Sequence, residues 1–140
     1  MKIDGLAKKP WDNLCTLADD WFSRAVRLSA SQEMFAPCFT CHRSFDIRAM
    51  DCGHFMSRSR WALRYDLRNC RPQCTYCNRN RNGEGAKFGM YLGEPLAGEL
   101  IDIASKKRKR FNEHELAEVI VKYRDMTNKL LKEKCVTKWW

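Results

Sequence analysis

Apolar residues recur three and four positions apart at Leu14, Leu17, Ala18, Trp21, Phe22, Ala25 and Leu28. That spacing draws one stripe along a cylinder and predicts an amphipathic α-helix over Trp11 to Leu28, with Pro10 just before or at its first turn. Between residues 35 and 75 the helical period disappears. Phe39, Phe45, Ile47 and Met50 suggest short strands there, and Gly53 and Pro72 suggest turns. The stretch from Asn78 to Pro95 mixes glycines with helix formers, so a short helix starting near Asn78 is expected to break or end among them. Leu96 to Ser105 can form another helix. Asn112 stands three residues before Glu115, a capping-box-like start, and Leu116, Val119, Ile120, Tyr123, Met126 and Leu130 carry a last helix to about Lys132. The resulting organisation is a helical extension over 1–34, a compact segment over 35–93 and a helical region over 94–140, with no repeat or long linker.

Charge narrows the partners. Lys and Arg number 26 against 17 Asp and Glu, giving a formal charge of +9 and a pI of about 9.3. A polyanion is the natural partner of such a surface. No apolar run approaches the ~20 residues of a membrane span and the start has no apolar signal-peptide core, so a cytoplasmic protein is expected, with no membrane partner. In a reducing compartment, eight cysteines argue for metal ligation over a disulfide framework.

Four of those cysteines fall into two pairs, Cys38/Cys41 and Cys74/Cys77, each with a two-residue spacer. Such a spacer lets both sulfurs of a pair face one ion at about 2.3 Å, and two pairs complete a tetrahedral structural Zn²⁺ shell with no open position for water. His42, beside Cys41, is a rival ligand that four thiolates make unnecessary. Cys15, Cys52, Cys70 and Cys135 lie outside the spacing and read as reduced, mostly buried thiols. The metal's task is folding, because the residues it ties together hold too few apolar side chains for a core of their own.

Between and beside the pairs stand His54, Asn69 and Asn78. Phosphodiester cleavage needs a base for water, charge to counter the phosphorane-like transition state, and a stabilised leaving oxygen. A neutral imidazole near pH 7 can serve as the base, and a hard divalent ion on oxygen ligands can do the rest. His54 supplies the imidazole, Asn78 an amide oxygen for Mg²⁺ or Mn²⁺, and Asp51 a carboxylate three residues before the histidine. Asn69 is expected to fix the loop that carries His54. A lone histidine is commonly structural and a lone asparagine commonly a turn or a cap; the order of all of them inside a cysteine frame favours catalysis.

Together these segments read Cys38-Phe-Thr-Cys41, Asp51-Cys-Gly-His54-Phe, Leu63-Arg-Tyr-Asp-Leu-Arg-Asn69 and Gln73-Cys-Thr-Tyr-Cys77-Asn78. The pattern resembles the zinc-supported HNH, or ββα-metal, nucleases, and within them the NinG (Rap) recombination proteins of lambdoid phages, from about Phe35 through Lys134. The resemblance implies an α+β fold with a small zinc-stabilised, treble-clef-like ββα-metal core and flanking helices. It also implies an endonuclease that cuts branched DNA, Holliday junctions and D-loops, in phage recombination inside the bacterial host, alongside host or phage recombination proteins. By position His54 is the general base, Asn69 the scaffold asparagine and Asn78 the final metal-binding residue. Many such enzymes place a metal-binding Asp or His directly before the base; here Gly53 stands there, and Asp51 is the nearest substitute.

Arginines crowd this region. Arg58, Arg60, Arg64, Arg68 and Arg71 lie between the base and the second cysteine pair, Arg79 and Arg81 follow Asn78, and Lys106, Lys107, Arg108, Lys109 and Arg110 form a run. All are candidate phosphate contacts, and Trp61 and Tyr65 are candidates for base stacking or for core. Three functions remain open: a branch-cutting or a general HNH nuclease, a zinc module that binds nucleic acid without cutting, and a zinc-stabilised protein-interaction domain. Paired incision of a near-symmetric junction favours a homodimer, for which the first helix is one candidate contact and an intramolecular core an equally simple alternative use.

Overall fold

Two long helices set the frame of the computed structural model, which describes residues 2–140. Helix α1 is a single turn, Ile3–Leu6, and α2 runs Trp11–Ala30. The last helix, α5, runs Glu113–Glu133 from a complete capping box in which Asn112 accepts from the Glu115 backbone N–H and the Glu115 side chain accepts from the Asn112 N–H. The stripe read from the sequence explains how they pair: Leu14, Ala18, Phe22 and Ala25 of α2 share one core with Leu116, Val119, Ile120 and Tyr123 of α5. The face of α2 considered for a dimer contact is therefore covered within the chain.

The middle of the chain is made of strands too short to stand alone. Strands β1, Phe35–Pro37, and β2, Ser44–Asp46, form one antiparallel pair. A second pair joins β3, Met50–His54, to β4, Cys70–Cys74, in the register Met50↔Cys74 through His54↔Cys70. Gly53 and Pro72 are not turns: they lie inside β3 and β4, with Cys52 opposite Pro72 and Gly53 opposite Arg71. A sheet of two strands explains both. Pro72 lacks only an N–H that such a strand can spare, and its carbonyl still accepts from Phe39 N–H at 2.9 Å. At Gly53 an added Cβ would sit 2.1 Å from Gln73 Oε1 and 2.8 Å from its Cγ, so only glycine admits the fully buried glutamine.

After β4 the backbone makes one π-helical turn, Tyr76–Asn80, and a short 3₁₀ turn, Asn82–Glu84, before α3, Gly85–Leu92. The helix expected near Asn78 breaks where the glycines lie, at Asn82, Gly83 and Glu84, all with positive φ. Helix α4 spans Leu96–Ser105 as expected. Its Leu100 and Ala104 pack on Leu63 and Phe55, which supports the long loop between β3 and β4. Residues from all three sequence segments meet in shared cores: Leu6 and Phe22 meet Cys70 and Tyr123, and Leu28 meets Cys38, Cys77 and Leu131.

Phe22 is the hinge pin of this packing, with its ring centroid 4.8 Å from that of Tyr123 and 5.6 Å from that of Tyr65. Phe22→Ala is expected to cost about 3–5 kcal/mol, because neighbouring rings fixed by their own contacts leave a cavity they cannot close. Urea denaturation measures it.

Candidate active site and metal centre

Cys38, Cys41, Cys74 and Cys77 converge although 32 residues separate the two pairs. Their four Sγ atoms lie within 4.8 Å of one another, with Cys41 and Cys74 at 3.9 Å. Two thiolates at 2.3 Å from a tetrahedral ion stand roughly 3.8 Å apart, so the donor set fits a structural Zn²⁺. The Cys77 backbone N–H also donates to the Cys74 sulfur at 3.4 Å. Burial pushes the Cys38 thiol up, but backbone N–H groups of Cys41, Cys74 and Thr40 directed at it outweigh that and draw it down to about 6. Cys74 goes the other way, pushed up by burial and by the neighbouring Cys38. The Cys38 thiolate is thus easy to form and those of Cys41 and Cys74 are not, until a cation shares them. His42 stays outside the cluster, exposed, with its ring 4.5 Å from that of Tyr91.

His54 ends β3 on the face that packs against α2, its ring 6.2 Å from that of Phe22. Its Nε2 lies 2.9 Å from the Arg64 carbonyl. A carbonyl only accepts, so Nε2 carries the proton and Nδ1 the lone pair. Burial lowers the His54 pKa below its usual 6.5, with Arg58 adding to the effect, while the Arg64 carbonyl opposes it. The imidazole is therefore neutral at pH 7.

Asn69, fully buried, holds the loop that supplies that carbonyl. Its Oδ1 accepts from Met56 N–H at 2.8 Å, and its Nδ2 donates to the carbonyls of Met56 at 2.9 Å and Leu63 at 3.2 Å. Gln73 does a parallel job on the other face of the hairpin. Its Nε2 donates to Thr40 Oγ1 at 3.0 Å and to the Gly83 carbonyl at 2.9 Å, which ties the first cysteine pair to the turn after Asn80.

Asp51, His54, Asn78, Arg58 and Arg79 line one cleft of about 630 Å³, together with Asp19, Asp20 and Ser23 of α2. Asn78 Nδ2 donates to Asp51 Oδ2 at 3.0 Å, which leaves the amide oxygen of Asn78 free for a cation. Arg79 closes a two-pronged pair on the same carboxylate, at 2.9 and 2.8 Å. Alternation along β3 sets Asp51 and His54 on opposite faces of the strand, yet both line the cleft. Sequence reasoning missed the α2 acids. Asp19 and Asp20 sit on the polar side of α2, 35 and 34 residues before His54, and no local spacing marks them.

The arginines differ in what they are free to do. Arg64 is committed, bound to Asp19 at 2.7 Å with its guanidinium over Trp61, and Tyr65 OH donates to the same Asp19 at 2.9 Å. Arg58 reaches Asp19 at 3.6 Å and stays exposed. Arg68 and Arg81 pair with the exposed-side neighbours Asp66 and Glu84, and Arg71 donates to the Leu67, Arg68 and Cys70 carbonyls. Arg60 and the whole 106–110 run are exposed. Within the run Arg108 lies over Phe111 and Arg110 over Trp11. Tyr65 is buried and Trp61 wedges between Trp11 and Phe111, so both serve the core.

Fold and site define a mixed α+β protein with two small antiparallel sheets and a cysteine cluster suited to structural zinc. Residues 1–133 match the family described as "Bacteriophage Lambda NinG protein", and the chain belongs to that family. The match takes in α1 and α2, upstream of the Phe35 boundary suggested by motifs. Similar relatives include "Protein ninG" of Escherichia phage 933W, 25% identical over 126 residues covering 88% of this chain and 61% of that protein. "Protein ninG" of Salmonella phage P22 is 26% identical over 111 residues, covering 79% of this chain and 53% of that protein. The chain thus spans about three fifths or less of the length of these curated relatives. No solved structure matches. No helix among the described residues is long and apolar enough to cross a membrane.

Two measurements test this frame. Structural zinc contributes ~10–16 kcal/mol in zinc-finger peptides, comparable to the ~5–15 kcal/mol stability of a whole domain. Metal analysis after dialysis should therefore give one tightly held Zn²⁺ per chain, and Cys74→Ser should lose it together with cooperative unfolding. Gly53→Ala should destabilise by about 1–3 kcal/mol in chemical denaturation, because the added methyl meets a glutamine whose Nε2 bonds hold it in place.

Proposed function

We propose that this protein is a divalent-metal-dependent endonuclease of the HNH, ββα-metal type, acting on branched DNA in phage recombination. The observation that carries the chemistry is the Nε2–Arg64 carbonyl bond, which leaves the Nδ1 lone pair of a neutral His54 as a base in a cleft shared with Asp51, Asn78 and two arginines. His54 takes the proton from water, and the Asn69-closed loop keeps the ring oriented toward its target. Asp51 and Asn78 offer the oxygen donors for Mg²⁺ or Mn²⁺, and such an ion supplies charge to a developing phosphorane and to the leaving oxygen. Arg79 and Arg58 exchange their carboxylate partners for the scissile strand's phosphates. The choice of branched DNA, and of partners from the recombination apparatus, rests on the family resemblance.

A second reading has one observation in its favour. Arg79 already neutralises Asp51, as a module that binds nucleic acid without cutting it would leave it.

Cleavage of four-way, Y-shaped and linear DNA with Mg²⁺ decides between them. His54→Ala should lower cleavage ~10²-fold or more with junction binding unchanged; full activity in a folded His54→Ala protein refutes the assignment. Because burial lowers the His54 pKa, its neutral form persists below pH 6.5. The rate should therefore hold as pH falls to 6.5 and decline only at lower pH, as the imidazole takes up its proton.

A further inference from the structure

The cysteines that the four-thiolate cluster leaves out include two beside the base. His54 and Cys70 are direct cross-strand partners, and Cys52, two residues before His54, shares their face of the hairpin. One donor atom from each, two sulfurs and an imidazole nitrogen, lie within 4.8 Å of one another. Cys70 is buried, while Cys52 and His54 border the cleft, so the trio has a closed inner side and an open outer one.

We propose that Cys52, His54 and Cys70 form a second, weaker site for a thiophilic divalent ion such as Zn²⁺, with its fourth position open to the cleft. The donor chemistry is that of soft and borderline metals: two thiolates and one neutral imidazole, a set that excludes Mg²⁺ and suits zinc or cadmium. The tautomer is already correct. A metal-bound histidine donates its other N–H to a carbonyl, and Nε2 does so to Arg64 at 2.9 Å, leaving Nδ1 for the ion.

A disulfide is the competing use of the two thiols, and register argues against it. Cys52 faces Pro72 and Cys70 faces His54, so the cysteines are diagonal neighbours. Diagonal side chains start roughly 7 Å apart or somewhat less, whereas a disulfide needs its Cβ atoms at about 3.5–4.5 Å. Two sulfurs on one zinc need approach only to about 3.8 Å.

Occupancy of this site consumes the lone pair that proton abstraction requires. Under the nuclease reading above, on which this half of the inference rests, excess zinc is an inhibitor that acts on His54 while Mg²⁺ stays at its oxygen ligands.

The two halves are tested separately. Protein carrying its first Zn²⁺ is titrated with Zn²⁺, and with Co²⁺ as a spectroscopic probe of thiolate ligation, in the wild type, Cys52→Ala and Cys70→Ser, with folding checked by circular dichroism. The expected result is a second equivalent with a sulfur-to-cobalt charge-transfer band, and at least a tenfold loss of affinity in Cys52→Ala. Cys52→Ala is the decisive variant because its side chain is only half-buried. A folded wild type that stops at one equivalent, or a folded Cys52→Ala that keeps the second unchanged, overturns the site. In the cleavage assay, zinc added over Mg²⁺ should inhibit the wild type at concentrations at least tenfold below those needed for Cys52→Ala. Equal inhibition of both overturns the link to the base. A protein that takes up the second ion yet never cuts DNA leaves the site standing and refutes the nuclease reading instead.

Discussion

Four sulfurs meeting at one point decide where everything between residues 35 and 80 lies. The two sheets have two strands each, below the size at which strands hold themselves in water. What relates them is that Cys38 and Cys41 follow β1 while Cys74 ends β4 and Cys77 lies in the turn after it. The same cluster joins the apolar contacts of Leu28, Ile47, Met50 and Leu131, so the ends of α2 and α5 rest on it. Asn78 follows its last cysteine and Asp51 pairs across from the residue before its third, so the cluster also sets the two oxygen donors of the cleft.

The helices were legible because their information is local and periodic. The stripe from Leu14 to Leu28 and the Asn112–Glu115 box fixed α2 and α5 to within a residue or two. Gly53 and Pro72 were misread because turn chemistry and the chemistry of a sparse two-stranded sheet use the same residues: one needs room for Gln73, the other gives up an N–H that nothing needs. The cysteine cluster was legible from spacing alone. The acidic half of the cleft was not, since Asp19 and Asp20 reach His54 only through tertiary packing. Asn69 occupied the middle ground: its position suggested a loop-fixing amide, and the geometry shows which backbone groups it joins.

Net charge alone gives a misleading picture of the cleft. The chain carries +9, yet near His54 the arginines Arg58, Arg64 and Arg79 are held by Asp19 and Asp51. The cleft is therefore close to locally balanced, and cations outside it include Lys107, Lys109 and Arg110 of the exposed 106–110 run, whose Lys106 and Arg108 pair with Asp102 and Glu115. Under the proposed function, and with a screening length of about 8 Å at physiological salt, the exposed run would attract a polyanion at long range and phosphates would enter the cleft by exchange with carboxylates.

Arg64 occupies a singular place in that balance. Its carbonyl orients the imidazole, and its guanidinium is anchored to Asp19 on α2. The ring and the helix are thus the two ends of one short lever, only a residue long. A tilt of α2 would therefore be passed through Arg64 to the orientation of the His54 ring.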